Sequence, residues 1–192
     1  MINDEKKLLR DSIKSYRRAL PYEEKSKLDR AVFENLLAGG ELSRHKLVLC
    51  YISTDIEVDT KCILSYCLDN GVSVAVPCCT GRRKMDFFYY NRDSITEVSG
   101  YGITEPVPYK NTMVTDFDDS LCIVPALAYD KKGYRLGYGG GFYDTFIGKH
   151  ENMTTLGICY SGNILDTVPA EPHDRRVDIL ITDKFTEALS NG

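Results

Sequence analysis

An α/β fold, with a largely parallel central sheet flanked by helices, is predicted for this 192-residue chain. Three observations predict it. Helical and strand-like segments alternate along most of the chain, the pattern of parallel sheets with helical crossovers. Residues 46–76 read as strand, helix, strand, the unit that joins parallel neighbours. Residues 121–147 read as a strand, a turn, a glycine-rich loop and a helix, in that order.

Taken in order, residues 4–20 form an amphipathic helix. Asp4 and Glu5 suit its first turn, and Leu9, Ile13, Tyr16 and Leu20 recur at helical spacing. Lys6, Lys7, Arg10, Lys14, Arg17 and Arg18 make the other faces basic, which for most of them is a solvated surface. Pro21 breaks the helix. A second helix covers 23–38, with Leu28, Val32, Leu36 and Leu37 on one side, and stops at Gly39 and Gly40. Leu47 to Ile52 is a strand. Ser53 to Ile56 is a turn, and Glu57 to Asp69 a helix carrying Val58, Cys62, Ile63 and Tyr66. Gly71 closes it, and Val72 to Val76 is the next strand. Arg82, Arg83 and Lys84 form a basic loop before a strand from Met85 to Tyr90. Ser99 to Asn111, rich in Gly, Pro and Tyr, reads as a long surface connection. Leu121 to Val124 is a buried strand at the sheet centre, ended by Pro125, and Asp130 to Gly133 is a turn. The glycine-rich loop and its helix reach about Gly148. Thr154 to Tyr160 is a strand, Ser161 to Asp174 mostly loop, Val177 to Thr182 a last strand, and Asp183 onward a polar tail.

The length suits one domain, 1–192, with an N-terminal helical segment (residues 1–40) packed on the α/β core. A net charge of −4 disfavours broad nucleic-acid binding. No apolar run approaches membrane-spanning length and the N-terminus is not a signal peptide, so the cytoplasm is expected, with no membrane partner. The seven cysteines are odd in number and lack any Cys-x-x-Cys. Reduced thiols are therefore expected, with Cys50, Cys122 and Cys159 buried in strand-like runs. Cys78 and Cys79 would be reactive if exposed. His45 and His150 stand alone in polar surroundings, and surface placement is expected for both.

The chemistry gathers at the glycines. Gly137, Gly139, Gly140 and Gly141 let main-chain N–H groups approach one anion, and a helix follows them. Arg135, Lys131 and Lys132 add fixed positive charge. The loop is no Walker A motif, because Phe142 and Tyr143 follow Gly141, and no dinucleotide fingerprint, because position 142 is not glycine. Asp144 lies about one turn into the helix. It reads either as a partner of the helix dipole or as a ligand of Mg²⁺ shared with phosphate. Asp174 reads either as a second metal ligand or, like Asp178, as a turn or strand-edge residue near Arg175 or Arg176. Glu57 is a site residue or a first-turn carboxylate. Glu57, the glycine loop and the loop before Asp174 all fall past carboxyl ends of strands, where ligands of open α/β sheets bind.

The run V-P-A-L-A-Y-D-K-K-G-Y-R-L-G-Y-G-G-G-F-Y-D, residues 124–144, resembles the signature of the 5-formyltetrahydrofolate cyclo-ligase (methenyltetrahydrofolate synthetase) family. K-K-L-L-R at 6–10, E-V-D-T at 57–60 and P-x-x-x-H-D-x-x-V-D-I-L-I-T at 169–182 resemble its other blocks in order and spacing, so the likeness spans nearly the whole chain. The resemblance implies a fold of the NagB/RpiA/CoA-transferase type. It implies an ATP-dependent reaction that turns 5-formyltetrahydrofolate into 5,10-methenyltetrahydrofolate through a phosphorylated formyl group, releasing ADP and phosphate. Lys6, Lys7 and Arg10 would contact ATP, with Arg135, Leu136, Gly137, Tyr138, Gly139, Gly140, Gly141, Phe142 and Tyr143 wrapping the triphosphate. Ile52 and Glu57 would bind the pterin side of the folate, and Tyr138 to Phe142 its formyl end. Arg135 and Tyr143 would be the catalytic groups, and Asp144 and Asp174 would hold Mg²⁺. Arg82, Arg83 or Lys84 would meet phosphate or the glutamate tail. ATP and the folate would be the only partners of a monomer. Many members carry Tyr where Phe142 stands, Arg at Thr145 and Gly at Ala126, departures that leave the proposed metal ligands in place. Two other readings stay open: a non-catalytic folate- or nucleotide-binding regulator, and a phosphosugar-binding protein on the same fold.

Overall fold

The structure, a computed structural model, describes residues 2–109 and 112–189. Three helices lead the chain: α1 (Ile2–Ala19), α2 (Tyr22–Gly39) and α3 (Glu41–Arg44). Pro21 separates the first two. Gly40, at φ 74°, ends α2 in a left-handed cap whose N–H bonds Leu37 O at 3.0 Å. Strand β1 (Leu47–Leu49), helix α4 (Lys61–Asp69) and strand β2 (Ser73–Gly81) form the predicted crossover, with β1 and β2 parallel. The helix starts later than Glu57, because residues 53–60 are held as a loop: Thr60 Oγ1 donates to Tyr51 O at 2.8 Å, and Glu57 caps Thr54.

Strand β2 outruns prediction and turns directly into β3 (Lys84–Tyr90). The basic loop is the tip of that hairpin, with Arg83 at φ 54°. A second hairpin pairs β4 (Thr96–Val98), just ahead of the predicted surface connection, with β5 (Thr104–Pro106) inside it, and the end of that connection at 110–111 lies outside the described residues. Next come β6 (Leu121–Val124), β7 (Ala128–Asp130), β8 (Arg135–Leu136) and the six-residue helix α5 (Phe142–Ile147). Strand β9 (Thr154–Ile158), a 3-10 turn at 161–163, and strands β10 (Ile164–Leu165), β11 (Ile179–Ile181) and β12 (Thr186–Ala188) complete the order. The predicted polar tail therefore supplies an antiparallel edge strand. Its last residues, 190–192, lie outside the described set.

The main sheet runs β12-β11-β9-β6-β1-β2-β3, parallel from β11 to β2 and antiparallel only at its two edges. Strand β6 is central, and its four residues are fully buried. They alternate between faces, as a strand buried on both sides requires. Leu121 and Ile123 pack with α2 and α4, while Cys122 and Val124 pack with Phe146 and Ile147 of α5. A smaller sheet, β10-β7-β8, carries the third cluster, where Ile13 of α1 meets Leu127, Ala128, Leu136 and Val168. Asp130 is buried there as a structural carboxylate, accepting N–H groups from Lys132, Tyr134 and Val168 at 2.9–3.0 Å. Asp178 caps Thr155 N at 2.8 Å, the strand-edge role open to it in the sequence.

The inner face of α1 is not the apolar stripe alone. Lys6, Ile13 and Arg17 are buried, whereas Tyr16 is 45% exposed. Arg17 donates to Asn163 Oδ1, Ile56 O, Ala126 O and Leu127 O at 2.7–3.1 Å, and lies over the Tyr160 ring at 5.4 Å. All seven cysteines are free thiols. Burial pushes the Cys78 thiol up to about 11 and the Cys79 thiol to about 12, so neither is an activated nucleophile. His150, expected on the surface, packs against the Phe117 and Phe146 rings at 4.4 and 4.6 Å. Among the described residues, no helix is long and apolar enough to cross a membrane.

Candidate active site

Chain direction splits between β1 and β6: from β1 it passes to β2 on one side, and later from β6 to β9 on the other. Beyond the carboxyl ends of strands at such a point, connecting loops diverge and leave a crevice. A cleft of about 590 Å³ opens there, walled by Tyr51 and Ile52 after β1 and by Pro125 after β6.

One end of the cleft is cationic. The glycine loop enters from β8, with Gly139 at φ 102° and Gly141 at φ 67°, angles that side chains rarely tolerate. Arg10 reaches across from α1 and donates to Gly137 O at 2.8 Å. Arg135 is buried, donates to Arg175 O at 2.7 Å, and places Nη2 2.6 Å from Asp144 Oδ1. That last contact is a buried ion pair, and beside it the buried Tyr143 hydroxyl has no hydrogen-bond partner. Burial holds the Tyr143 phenol far above its ordinary range, with Cys122, Cys50 and Glu57 adding to it, so it stays a neutral donor. An orphaned hydroxyl next to a guanidinium in one cleft is what an arriving oxyanion would satisfy.

Two carboxylates border the same end. Asp144 also accepts Arg175 N–H at 3.0 Å, which brings the turn holding Asp174 beside α5. Asp174 accepts from Lys6 Nζ at 2.8 Å and from Glu171 N at 2.9 Å. Burial alone would raise the Asp174 carboxyl, but these two bonds outweigh it and hold it below the usual carboxylate range. Among the described residues, no group of three or more His, Cys, Asp or Glu side chains is arranged to hold a metal. A protein-only cage is thus absent among them, and the donor set suits a hard cation that completes its shell from phosphate and water. Mg²⁺ behaves in that way, binding through one or two carboxylates plus substrate phosphates.

Glu57 sits deeper and is buried, accepting from Thr54 N at 2.7 Å and Thr54 Oγ1 at 2.8 Å. Burial, with Glu57 next to it, raises the Tyr138 phenol well above its ordinary range. All the predicted site residues line this cleft except Lys7. Lys7 is exposed, because one step along a helix turns a side chain about 100° away from Lys6. Arg83 reaches the cleft beside Gly141, while Arg82 is exposed and Lys84 lies 3.5 Å from Asp86.

The β4–β5 side of the cleft was not anticipated. Hairpin β4–β5 folds over it, and Tyr101 at its tip meets Phe142 edge-on at 5.7 Å. Pro77, Met85, Ile103 and the buried Glu105 also line the cleft. Only the pairing of Tyr and Gly at 100–102 hinted at a structured turn there.

Residues 2–183 match the sequence model of the 5-formyltetrahydrofolate cyclo-ligase family. The chain is 32% identical over 158 residues to a Schizosaccharomyces pombe protein named "Probable 5-formyltetrahydrofolate cyclo-ligase", covering 74% of this chain and 77% of the relative. It is 29% identical over 205 residues to the 5-formyltetrahydrofolate cyclo-ligase of Saccharomyces cerevisiae, covering 92% and 94%. The solved structure of Aquifex aeolicus 5,10-methenyltetrahydrofolate synthetase is similar with a TM-score of 0.82 at 29% identity, over 97% of this chain and 94% of that one.

Proposed function

This chain belongs to the 5-formyltetrahydrofolate cyclo-ligase family, and we propose that the cleft at its sheet switch point brings ATP and 5-formyltetrahydrofolate together for ring closure to 5,10-methenyltetrahydrofolate. The observation that carries this assignment is the convergence of Lys6, Arg10 and Arg135 with the Gly137–Gly141 loop, Asp144 and Asp174 in one cleft.

A formamide carbon is a weak electrophile and its oxygen a poor leaving group. Transfer of the γ-phosphoryl group to that oxygen breaks the bond to the β-phosphate oxygen and frees ADP. N10 of the folate then attacks the activated carbon and gives up its proton. The carbon–oxygen bond breaks, and phosphate departs with the former formyl oxygen. Lys6 and Arg10 offset the triphosphate charge, and the loop amides hold it in line. Arg135 Nη2 and the Tyr143 hydroxyl donate to oxygens on the transferring group, where positioning and charge stabilisation supply most of the rate. Asp144 and Asp174 would hold Mg²⁺, whose contribution is to offset phosphate charge. Ile52 and Glu57 hold the pterin, Glu57 by accepting ring N–H groups. Residues from position 6 to position 174 complete the cleft within one chain, which supports 1–192 as a single catalytic unit acting as a monomer on two small molecules.

Purified protein given Mg·ATP and 5-formyltetrahydrofolate is expected to form the methenyl product, followed by its near-ultraviolet absorbance, with one ADP per product. EDTA should stop turnover and added Mg²⁺ restore it. Absence of product above background, with folate still bound, would refute the reaction. An undiminished rate in EDTA would refute the metal assignment.

A further inference from the structure

Glu105 lies at the centre of β5, 5% exposed, and lines the cleft. Its position follows from a mismatch in strand length. The pairing of β1 with β2 ends at Leu49 and Ala75, so Pro77 to Gly81 overhang the cleft with one edge uncovered. Strand β5 packs against that overhang. Glu105 Oε1 accepts the Cys79 N–H at 3.1 Å, and the Cys78 thiol lies 3.9 Å from Oε2. Among the described residues, no lysine, arginine or histidine pairs with this carboxylate.

Burying an unpaired charge is expensive, and a strand cap does not need one. Glutamine has the same length and would accept the Cys79 N–H equally well. The spare acceptor capacity therefore awaits a donor that arrives with a ligand. Pro77, Met85, Ile103, Tyr101 and Phe142, which line the same cleft, offer apolar and aromatic surface suited to a flat ring system. Lys6, Arg10 and Arg135, the cations that suit a triphosphate, stand on α1 and β8 rather than on the hairpin that carries Glu105. We infer that Glu105 is a folate-recognition residue, accepting N–H donors from the reduced folate at its pteridine edge or bridge amine, in addition to Glu57. The inference rests on the cyclo-ligase reading. The other N–H donor that could enter the cleft is the adenine amine of ATP.

Glu105→Gln keeps the cap and removes the charge. KM for 5-formyltetrahydrofolate and for ATP should be measured separately, with folate binding by calorimetry in the absence of ATP and the melting temperature of the free protein. Folate KM and Kd are expected to rise roughly ten- to a hundredfold, the scale of one lost hydrogen bond to a charged group. KM for ATP should stay within about twofold, and the free protein should melt no lower, since an uncompensated buried charge has gone. Unchanged folate constants would reduce Glu105 to a strand cap and overturn the inference. A rise in KM for ATP alone would assign it to adenine and overturn it too. If the glutamine variant does not fold, Glu105→Asp, which retracts the charge by one methylene, carries the same comparison. If the wild type binds folate without turning it over, the reaction reading fails, while the calorimetric comparison still decides Glu105.

Discussion

The buried Tyr143 hydroxyl, which lines the cleft, has no hydrogen-bond partner, while the neighbouring Arg135 Nη2 is held in an ion pair with Asp144. An unsatisfied buried polar group costs about 1–3 kcal/mol in a folded protein. Tyr143→Phe removes one such group without changing the ring. Its melting temperature without ligand should therefore rise, by roughly 2–4 °C per kcal/mol recovered, while kcat falls. Scanning fluorimetry beside steady-state kinetics reads both. A drop in melting temperature would mean the hydroxyl is already satisfied. At this scale the sequence was informative where a motif spelled the site, as from Arg135 to Asp144. It was silent where a residue's role depends on a remote partner. Arg17 reads as one more solvated cation in the helix, yet its acceptors are supplied by residues 56, 126, 127 and 163. Glu105 reads as a loop carboxylate, because the strand that buries it, β2, precedes it by more than twenty residues.

Helix α1 is the element on which the cationic end depends. Lys6, Arg10, Ile13 and Arg17 fall at successive helical turns on one face, so fixing Arg17 fixes the reach of the other two. Arg17→Met would keep most of the apolar stem and strip hydrogen bonds from four acceptors. A loss of about 2–4 kcal/mol is expected, on the order of 10 °C in melting temperature. KM for ATP should rise severalfold while KM for folate changes less. Equal effects on both constants would mean that α1 is only a packing element. Long periodic segments such as α2, and the apolar run of β6, were readable because burial alone specifies them. The short strands were not. The residues of β4, β5 and β12, Thr-Glu-Val, Thr-Glu-Pro and Thr-Glu-Ala, lack an apolar alternation, and pairing partners decide their conformation. The turn predicted at Asp130 to Gly133 is real. What it joins, β7 and β8, could not be seen, because the Asp130 ligands include Val168 N from a distant loop.

Across the whole molecule, seven separate stretches surround one cleft: α1, the loop after β1, the β2–β3 hairpin, the β4–β5 hairpin, Pro125 after β6, the β8–α5 segment and the turn at 171–174. Two of these lie outside the parallel core of the main sheet and act as covers. Helix α1 is held over the cationic end by ion pairs and Arg17, and the β4–β5 hairpin leans on Phe142 through an exposed Tyr101. Covers opening independently of the core exchange their amides at lower free energy than central strands do. A ligand spanning both ends of the cleft must restrain both covers, because each contributes side chains to it. Hydrogen exchange should therefore slow in residues 2–19 with Mg·ATP alone, and in residues 96–106 only when 5-formyltetrahydrofolate is added. The strands β6 and β9 should change little. At a hundredfold excess over Kd, each ligand adds about 2.7 kcal/mol to stability through mass action. A phosphosugar should give neither effect. Protection confined to one cover with both ligands present would place ATP and the folate at the same end of the cleft. Lys6 and Glu105 would then not serve different substrates in one reaction site.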